Sequence, residues 1–172
     1  MKKQAVRLLA GVAVAGVMAT AGSWSNGTEA ATASADVTVS ASVSANCVVG
    51  SGSISFGSYD PLTANVSTPL DATGSFTVRC TRGVTADIGL DGGLNYSGGR
   101  QMENSGTAGE FLSYELYSDN GRTSVWDAGA GSVTYVAPNR SAATLNIYGR
   151  VPANLDPVAG TYGDTVVATA DF

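Results

Sequence analysis

The chain has 172 residues with nine Lys or Arg, fourteen Asp or Glu and no His, which gives a net charge of −5. Its few cations are scattered, so we expect neither nucleic acid nor an anionic membrane as a partner. The absence of histidine excludes Ser-His-Asp hydrolases of the usual form. With only two cysteines and no CxxC spacing, we also expect no metal site and no small-molecule cofactor.

The N-terminus has the features of a secretory signal peptide. Three cations within the first seven residues precede an uncharged apolar run over residues 8–18. This run of about 11 residues is shorter than the about 20 that a membrane-spanning helix needs, so a retained anchor is the weaker alternative. We predict a signal peptide over residues 1–21, with small residues that allow cleavage as late as residue 33. The remaining chain contains six arginines, no lysine and all fourteen acids. Its length of about 150 residues suits one exported, soluble domain.

An alternating segment lies between the leader and the first cysteine. From Ala31 to Ala45 the odd positions are apolar and the even positions are polar, which indicates a strand with one buried face. Because this strand precedes the domain at 47–172, we predict that residues 22–46 form an N-terminal extension that donates its strand to another molecule. The predicted donor residues are Ala35, Val37, Val39, Ala41 and Val43. The alternative is that the strand closes the sheet of its own chain.

The two cysteines, Cys47 and Cys80, predict a disulfide, because an even pair in an exported chain is usually oxidised. In the chain-entropy model a closed loop of about 33 residues stabilises the fold by roughly 3 to 4 kcal/mol. Two buried free thiols are the alternative.

Beyond Cys47 the chain is a series of short strand-like runs separated by Gly, Asn, Asp and Pro, and no stretch outside the leader has a helical period. These features predict an all-β, antiparallel sandwich. The predicted strands are residues 53–56, 74–80, 85–90, 111–117, 132–136, 143–151 and 164–172.

The last predicted strand reaches the final residue of the sequence, Phe172. An immunoglobulin-like sandwich would then lack its closing strand and would leave an apolar groove that an incoming strand can fill. We expect this acceptor groove to be lined by Val166, Ala168, Ala170 and Phe172. A plain core position is the alternative for Phe172.

Six short motifs occur in an order that resembles the spore coat protein U domain family. They are Phe56-Gly57-Ser58-Tyr59, Cys80-Thr81-Arg82-Gly83, Arg100-Gln101-Met102, Leu112-Ser113-Tyr114-Glu115-Leu116-Tyr117-Ser118-Asp119, Tyr148-Gly149-Arg150-Val151-Pro152 and Gly160-Thr161-Tyr162-Gly163-Asp164-Thr165-Val166. The chain thereby resembles the pilin subunits of archaic (Csu type) chaperone-usher pili. It departs from many relatives at Trp126-Asp127, where Trp-Gly is common.

The resemblance implies a structural protein that is not an enzyme. Pilins of this kind have an incomplete immunoglobulin-like fold, and a periplasmic chaperone lends them a strand. An outer-membrane usher then replaces that strand with the N-terminal extension of the next copy, which gives a head-to-tail polymer on the cell surface. The resemblance also implies that basic chaperone residues grip the carboxylate of Phe172. We therefore expect a shaft subunit that supports adhesion and biofilm formation. The alternative is a self-contained secreted β-sandwich binding module or a spore coat protein.

Other residues are better explained by structure than by ligand binding. Asp91-Gly92-Gly93 and Asp119-Asn120-Gly121 look like fragments of calcium loops, but they complete no such loop and predict turns. Arg100 and Arg150 are expected to satisfy carboxylates or carbonyls of the fold. The hydroxyl of Tyr162 is expected to bind nearby backbone as in a tyrosine corner.

Overall fold

The computed structural model describes residues 31–172, so the predicted signal peptide lies outside the described residues. The chain divides into two compact units, residues 1–40 and residues 41–172. In the first unit, residues 31–40 are exposed and form neither strand nor helix. Within residues 31–172 there is no helix with the length and apolarity that a membrane crossing requires.

The second unit consists of strands joined by turns. Its strands are β1 (Cys47–Val49), β2 (Leu70–Cys80), β3 (Thr85–Leu90), β4 (Arg100–Asn104), β5 (Phe111–Tyr117), β6 (Val133–Val136), β7 (Ala143–Val151), β8 (Tyr162–Gly163) and β9 (Ala168–Asp171). They form a six-stranded sheet in the order β1-β2-β7-β5-β4-β8 and a three-stranded sheet in the order β6-β3-β9. Every pairing is antiparallel. The predicted all-β antiparallel fold is confirmed.

Strands β3, β5 and β7 have the bounds that the sequence predicts, because each places apolar side chains on a buried face. β2 begins at Leu70, four residues earlier than predicted, and pairs with β7 as far as Val151. β4 was not predicted as a strand, since its two fully buried residues are the polar Arg100 and Asn104.

Two predicted strands are wrong in their extent. Residues 53–56 make only one isolated bridge, between Ser53 and Ser75. Gly50 pairs with Thr77 and Ser53 with Ser75, so three steps on one side oppose two on the other, and this bulge ends the regular ladder. Of the strand predicted over 164–172, only β9 (Ala168–Asp171) forms, because residues 164–167 carry the chain from β8, which pairs with β4, to β3 in the other sheet.

The two sheets enclose one apolar core with Trp126 at its centre. The Trp126 side chain is 2% exposed, and its indole N–H donates a 2.8 Å hydrogen bond to the Ile88 carbonyl. Its ring lies 5.6 Å from that of Phe76, so it joins the larger sheet to β3 of the smaller one. Aromatic pairs at such distances add stability beyond the area that they bury.

The buried side chain of Arg100 connects β4 to neighbouring segments around the core. Arg100 is 4% exposed, donates to the carbonyls of Leu90, Asp91 and Trp126, and pairs with Glu115 at 2.5 Å. Because a buried guanidinium destabilises a fold unless it is paired, these partners explain the position, as expected. Arg150 pairs instead with the partly exposed Asp71 at 2.7 Å.

The predicted disulfide is present. Cys47 and Cys80 are direct register partners on β1 and β2, and the bond fastens the three-residue β1 to the larger sheet. No other strand in the described residues pairs with β1.

Replacing both cysteines, as Cys47→Ser with Cys80→Ser, should lower the free energy of unfolding by about 3 to 4 kcal/mol. The reason is that the unfolded chain regains the freedom that the closed loop of about 33 residues removes. Urea denaturation followed by tryptophan fluorescence measures the change. A midpoint equal to that of the oxidised parent would contradict the stabilising role.

Candidate functional site

A long groove runs along the open side of the fold. Two adjoining clefts, of about 530 and about 610 Å³, share Ile54, Phe56, Met102 and Tyr162 and therefore form one groove. One wall is the end of β1 with the segment that follows it, from Val49 to Pro61. The other wall is the segment from Pro157 through β8 to Ala168.

The floor of the groove is apolar and comes from the larger sheet and β3. Its floor residues are Phe76, Leu90, Met102, Leu112, Tyr114, Leu116, Ile147 and Val151. Of these, only Met102 is not fully buried. The single carboxylate that lines the groove within the described residues is Asp164. An apolar floor of this kind suits apolar side chains rather than a polar substrate.

The wall at residues 161–171 presents an unpaired backbone edge. Asp91 N–H donates to the Val167 carbonyl at 3.0 Å and Leu94 N–H to the Thr165 carbonyl at 3.2 Å, so the odd residues face the neighbouring strands. In an antiparallel ladder the intervening residues point their N–H and C=O groups the other way. Val166, Ala168 and Ala170 therefore direct their backbone groups to the edge where β9 has no neighbour in the described residues.

The opposite wall has an edge of the same kind. Thr81 N–H donates to the Asn46 carbonyl at 2.8 Å and Gly50 N–H to the Thr77 carbonyl at 2.7 Å. The even residues thus face β2, and Cys47 and Val49 point their backbone groups away from it. Two unpaired edges consequently border an apolar floor, and such edges are templates for an additional strand.

Glycines let the first wall lie close to the sheet. A Cβ atom at Gly74 would lie 2.2 Å from the Ser53 carbonyl oxygen and 2.8 Å from the Ile54 Cα. A Cβ atom at Gly149 would lie 2.6 Å from the side chains of Ile54 and Phe56. The wall therefore packs on two positions that have no side chain.

Gly74→Ala should push the Ser53 backbone off β2 and destabilise the fold by about 1 to 3 kcal/mol, as overpacking does in cores. Gly163→Ala is the matched control, because a Cβ atom there meets nothing within 4 Å, and its effect should stay within about 0.5 kcal/mol. Urea midpoints compare the two variants. Equal midpoints for Gly74→Ala and the parent would show that this wall does not depend on the close approach.

The carboxylate of Asp164 holds the second wall in place. It accepts hydrogen bonds from the Tyr114 hydroxyl at 2.7 Å and from the Leu94 N–H at 3.0 Å. Burial and this hydrogen bond raise the pKa of Tyr114 above its usual value. With hydrogen bonds to both of its oxygens, Asp164 is a positioning group of the wall.

The predicted tyrosine corner is confirmed. The Tyr162 hydroxyl donates a 2.6 Å hydrogen bond to the Val158 carbonyl, four residues upstream.

Turns are also confirmed at the motifs Asp91-Gly92-Gly93 and Asp119-Asn120-Gly121. Asp91 accepts from Gly93 N–H at 2.9 Å, and the Asp119 carbonyl accepts from Arg122 N–H at 3.0 Å.

The structure brings part of the predicted acceptor set to the groove. Val166 and Ala168 line it, whereas Ala170 packs against the core beyond its end. Phe172 is 58% exposed and is not among the lining residues.

The predicted donor residues lie outside any strand. Val37, Val39 and Val43 are 84%, 89% and 85% exposed, and Ala35 and Ala41 are exposed as well. No residue from 31 to 46 belongs to a strand.

Sequence reasoning missed the first wall and Asp164 as parts of the groove. Ile54 and Phe56 alternate with polar Ser55, which is a signal for one buried face, but the pattern alone predicts an ordinary paired strand. Nothing in the sequence shows that their partner strand is absent.

Comparison of folds places the chain among immunoglobulin-like antiparallel sandwiches. It is similar to a chain in the crystal structure of the CsuC–CsuE chaperone–tip adhesion subunit pre-assembly complex from archaic chaperone-usher Csu pili of Acinetobacter baumannii. The TM-score is 0.51 at 21% identity, over 76% of this chain and 40% of that one. The chain thus spans less than half of the structure that it matches. The E. coli Hda pilus minor tip subunit HdaB matches with a TM-score of 0.39 at 17% identity, over 73% of this chain and 79% of that one.

The sequence comparison defines the family. Residues 32–169 match the model of the Spore Coat Protein U domain. The chain is also 37% identical to Protein U of Myxococcus xanthus over 157 residues, which is 84% of this chain and 87% of that protein. The chain therefore belongs to the Spore Coat Protein U domain family.

Proposed function

We propose that this chain is a structural pilus subunit, not an enzyme, and that it polymerises by inserting the N-terminal strand of one copy into the groove of another. The observation that carries the proposal is the pair of unpaired backbone edges on either side of an apolar floor. A β-strand satisfies both requirements at once, because its backbone pairs with the edges and its alternate side chains reach the floor.

The segment Ala35–Val43 has the chemistry that this groove requires. Its apolar side chains all lie on one face of an extended strand, and its Thr and Ser side chains lie on the other. An extended strand of this length reaches about 26 Å. Burial of each small side chain stabilises the complex by less than the roughly 1.5 to 3 kcal/mol of a large aliphatic residue, so backbone pairing must contribute much of the binding free energy.

The direction of the incoming strand follows from the pairing of its neighbours. β1 and β9 run in opposite directions, so a strand between them is antiparallel to one and parallel to the other, and we assign the more stable antiparallel pairing to β9 because β1 has only three residues. We expect the donor strand to run antiparallel to β9. Its first residue, Ala35, would then lie near Ala168, and its last, Val43, would lie near Tyr59 and Pro157.

An exposed apolar groove needs protection before assembly, because unpaired edges aggregate. A periplasmic chaperone that lends a strand would supply that protection, and an outer-membrane usher would exchange it for the next subunit. This route, and an adhesive and biofilm-forming role on the cell surface, rest on membership of the family and on the fold shared with the Csu subunit complex. Ala170 and Phe172 follow the lining residue Ala168 along the chain, and in this proposal they contact the chaperone.

The substitution Val39→Asp should abolish the polymer and leave the domain folded. It would place an unpaired carboxylate on the apolar floor of the neighbour, at a cost of several kcal/mol. In the isolated subunit Val39 is 89% exposed, so the urea midpoint should not move. The measurement is the ladder of an unheated detergent gel, made with the full chain and its cognate chaperone.

Ser40→Asp is the matched control, since Ser40 lies on the opposite face of the strand, and its ladder should equal that of the parent. Identical ladders for Val39→Asp and the parent would contradict the assignment of residues 35–43 as the donor strand. If Val39→Asp instead lowers the urea midpoint of the monomer, the segment closes its own sandwich, and the chain is a secreted module or coat protein.

A further inference from the structure

The loops at the two ends of the domain carry opposite charge. We define the basal loops as residues 81–84 and 137–142, and the distal loops as residues 59–69, 104–110 and 152–161. β2 and β7 run between these ends in opposite directions, so the two sets lie at opposite ends of the larger sheet. The basal loops contain Arg82 and Arg140 and no acid, whereas the distal loops contain Asp60, Glu110 and Asp156 and no base.

The basal arginines are available for contact. Arg82 and Arg140 are exposed, and neither forms an ion pair or a side-chain hydrogen bond with any residue from 31 to 172. Their loops are joined, because Gly83 N–H donates to the Ala137 carbonyl at 2.8 Å and Ala137 N–H to the Val84 carbonyl at 2.9 Å. The nearest acids in the smaller sheet, Asp87 and Asp171, lie in its strands.

The distal loops also form a fixed surface. Asn154 N–H donates to the Asn65 carbonyl at 2.9 Å, and Ser105 N–H donates to the Thr161 carbonyl at 2.8 Å. The Tyr59 hydroxyl donates to the Pro152 carbonyl at 3.0 Å. Leu62 stands 84% exposed at the tip of this end. An exposed leucine among acidic groups resembles the apolar centre and polar rim of a contact surface.

Only a short stretch of chain separates the proposed donor strand from its own domain. Thr81 N–H donates to the Asn46 carbonyl at 2.8 Å, and its hydroxyl donates to the Ser44 carbonyl at 3.3 Å. The chain is therefore held against the basal loops up to the residue that follows Val43. A strand that ends in the neighbour's groove near Tyr59 and Pro157 must bring these basal loops close to the neighbour's distal loops.

We propose that consecutive subunits make a second contact beside the donor strand, in which the basal arginines of one copy dock on the acidic distal loops of the next. The proposal rests on the polymer proposed above. The occupant of each surface is a second copy of this chain, selected by complementary charge and by the short tether. The contact would fix the angle between subunits, while the inserted strand would hold them together.

The expected size of the effect follows from exposed ion pairs, which each contribute about 0.2 to 1 kcal/mol. Two pairs would change the ratio of docked to undocked junctions by about two- to thirtyfold. Screening should weaken the contact between about 0.1 M and about 1 M salt, because the Debye length falls from about 10 Å to about 3 Å.

The test is the distribution of angles between consecutive subunits in electron micrographs of full-chain polymers. Arg82→Glu with Arg140→Glu should broaden the distribution at about 0.1 M salt, because like charges then face each other, and raising the salt to about 1 M should no longer broaden it further. Adding Glu110→Arg and Asp156→Arg to the same chain should narrow it again, since the charges are then exchanged across the junction. None of these four residues lines the groove, so the gel ladder should be unchanged.

The outcomes separate the two proposals. A normal ladder with the parent's angle distribution in the arginine variant would overturn the second contact and leave strand exchange standing. Failure of the fourfold variant to narrow the distribution would overturn the charge pairing. A parent chain that forms no ladder would overturn strand exchange, and the second contact with it.

Discussion

Two sheet edges with unpaired backbone groups face each other across an apolar floor, and the rest of the structure is arranged around that feature. The backbone groups of these edges have no strand partner in the described residues, and the groove beside them is open above its apolar floor. A single isolated domain therefore carries an unfavourable surface that another strand can cover. The groove is long, nearly uncharged and bordered by backbone on both sides, which suits a strand far better than a small ligand.

The surrounding contacts hold this open surface in shape. The disulfide fixes the short β1, and Gly74 and Gly149 let the following wall lie flat on the sheet. On the other side Asp164 ties the second wall to Tyr114 and Leu94. Arg100 joins the smaller sheet to the loop that carries Trp126. These contacts make the groove preformed, so a strand that bound there would bear most of the ordering cost.

The sequence predicts those elements whose side chains alternate cleanly. β3, β5 and β7 place their apolar residues on one face, so hydrophobic pattern alone gives their bounds. β4 could not be predicted from a hydrophobic pattern, because Arg100 and Asn104 occupy its buried positions and their partners come from distant parts of the chain. The irregular wall after β1 could not be predicted from the pattern either, since the bulge between Gly50 and Ser53 depends on how closely the chain approaches Gly74. A groove was expected beside the last predicted strand, but its first wall and Asp164 are products of tertiary packing.

The most direct measurement is the gel mobility of the full chain, unheated in detergent, beside a version without residues 31–43, with the cognate chaperone supplied to both. Exchange of strands between copies predicts a heat-sensitive ladder for the intact chain and a single band for the shortened chain, which should remain folded on the chaperone. A single monomer band for the intact chain, with a shortened chain that no longer folds, would contradict strand exchange and show that the segment completes its own sandwich.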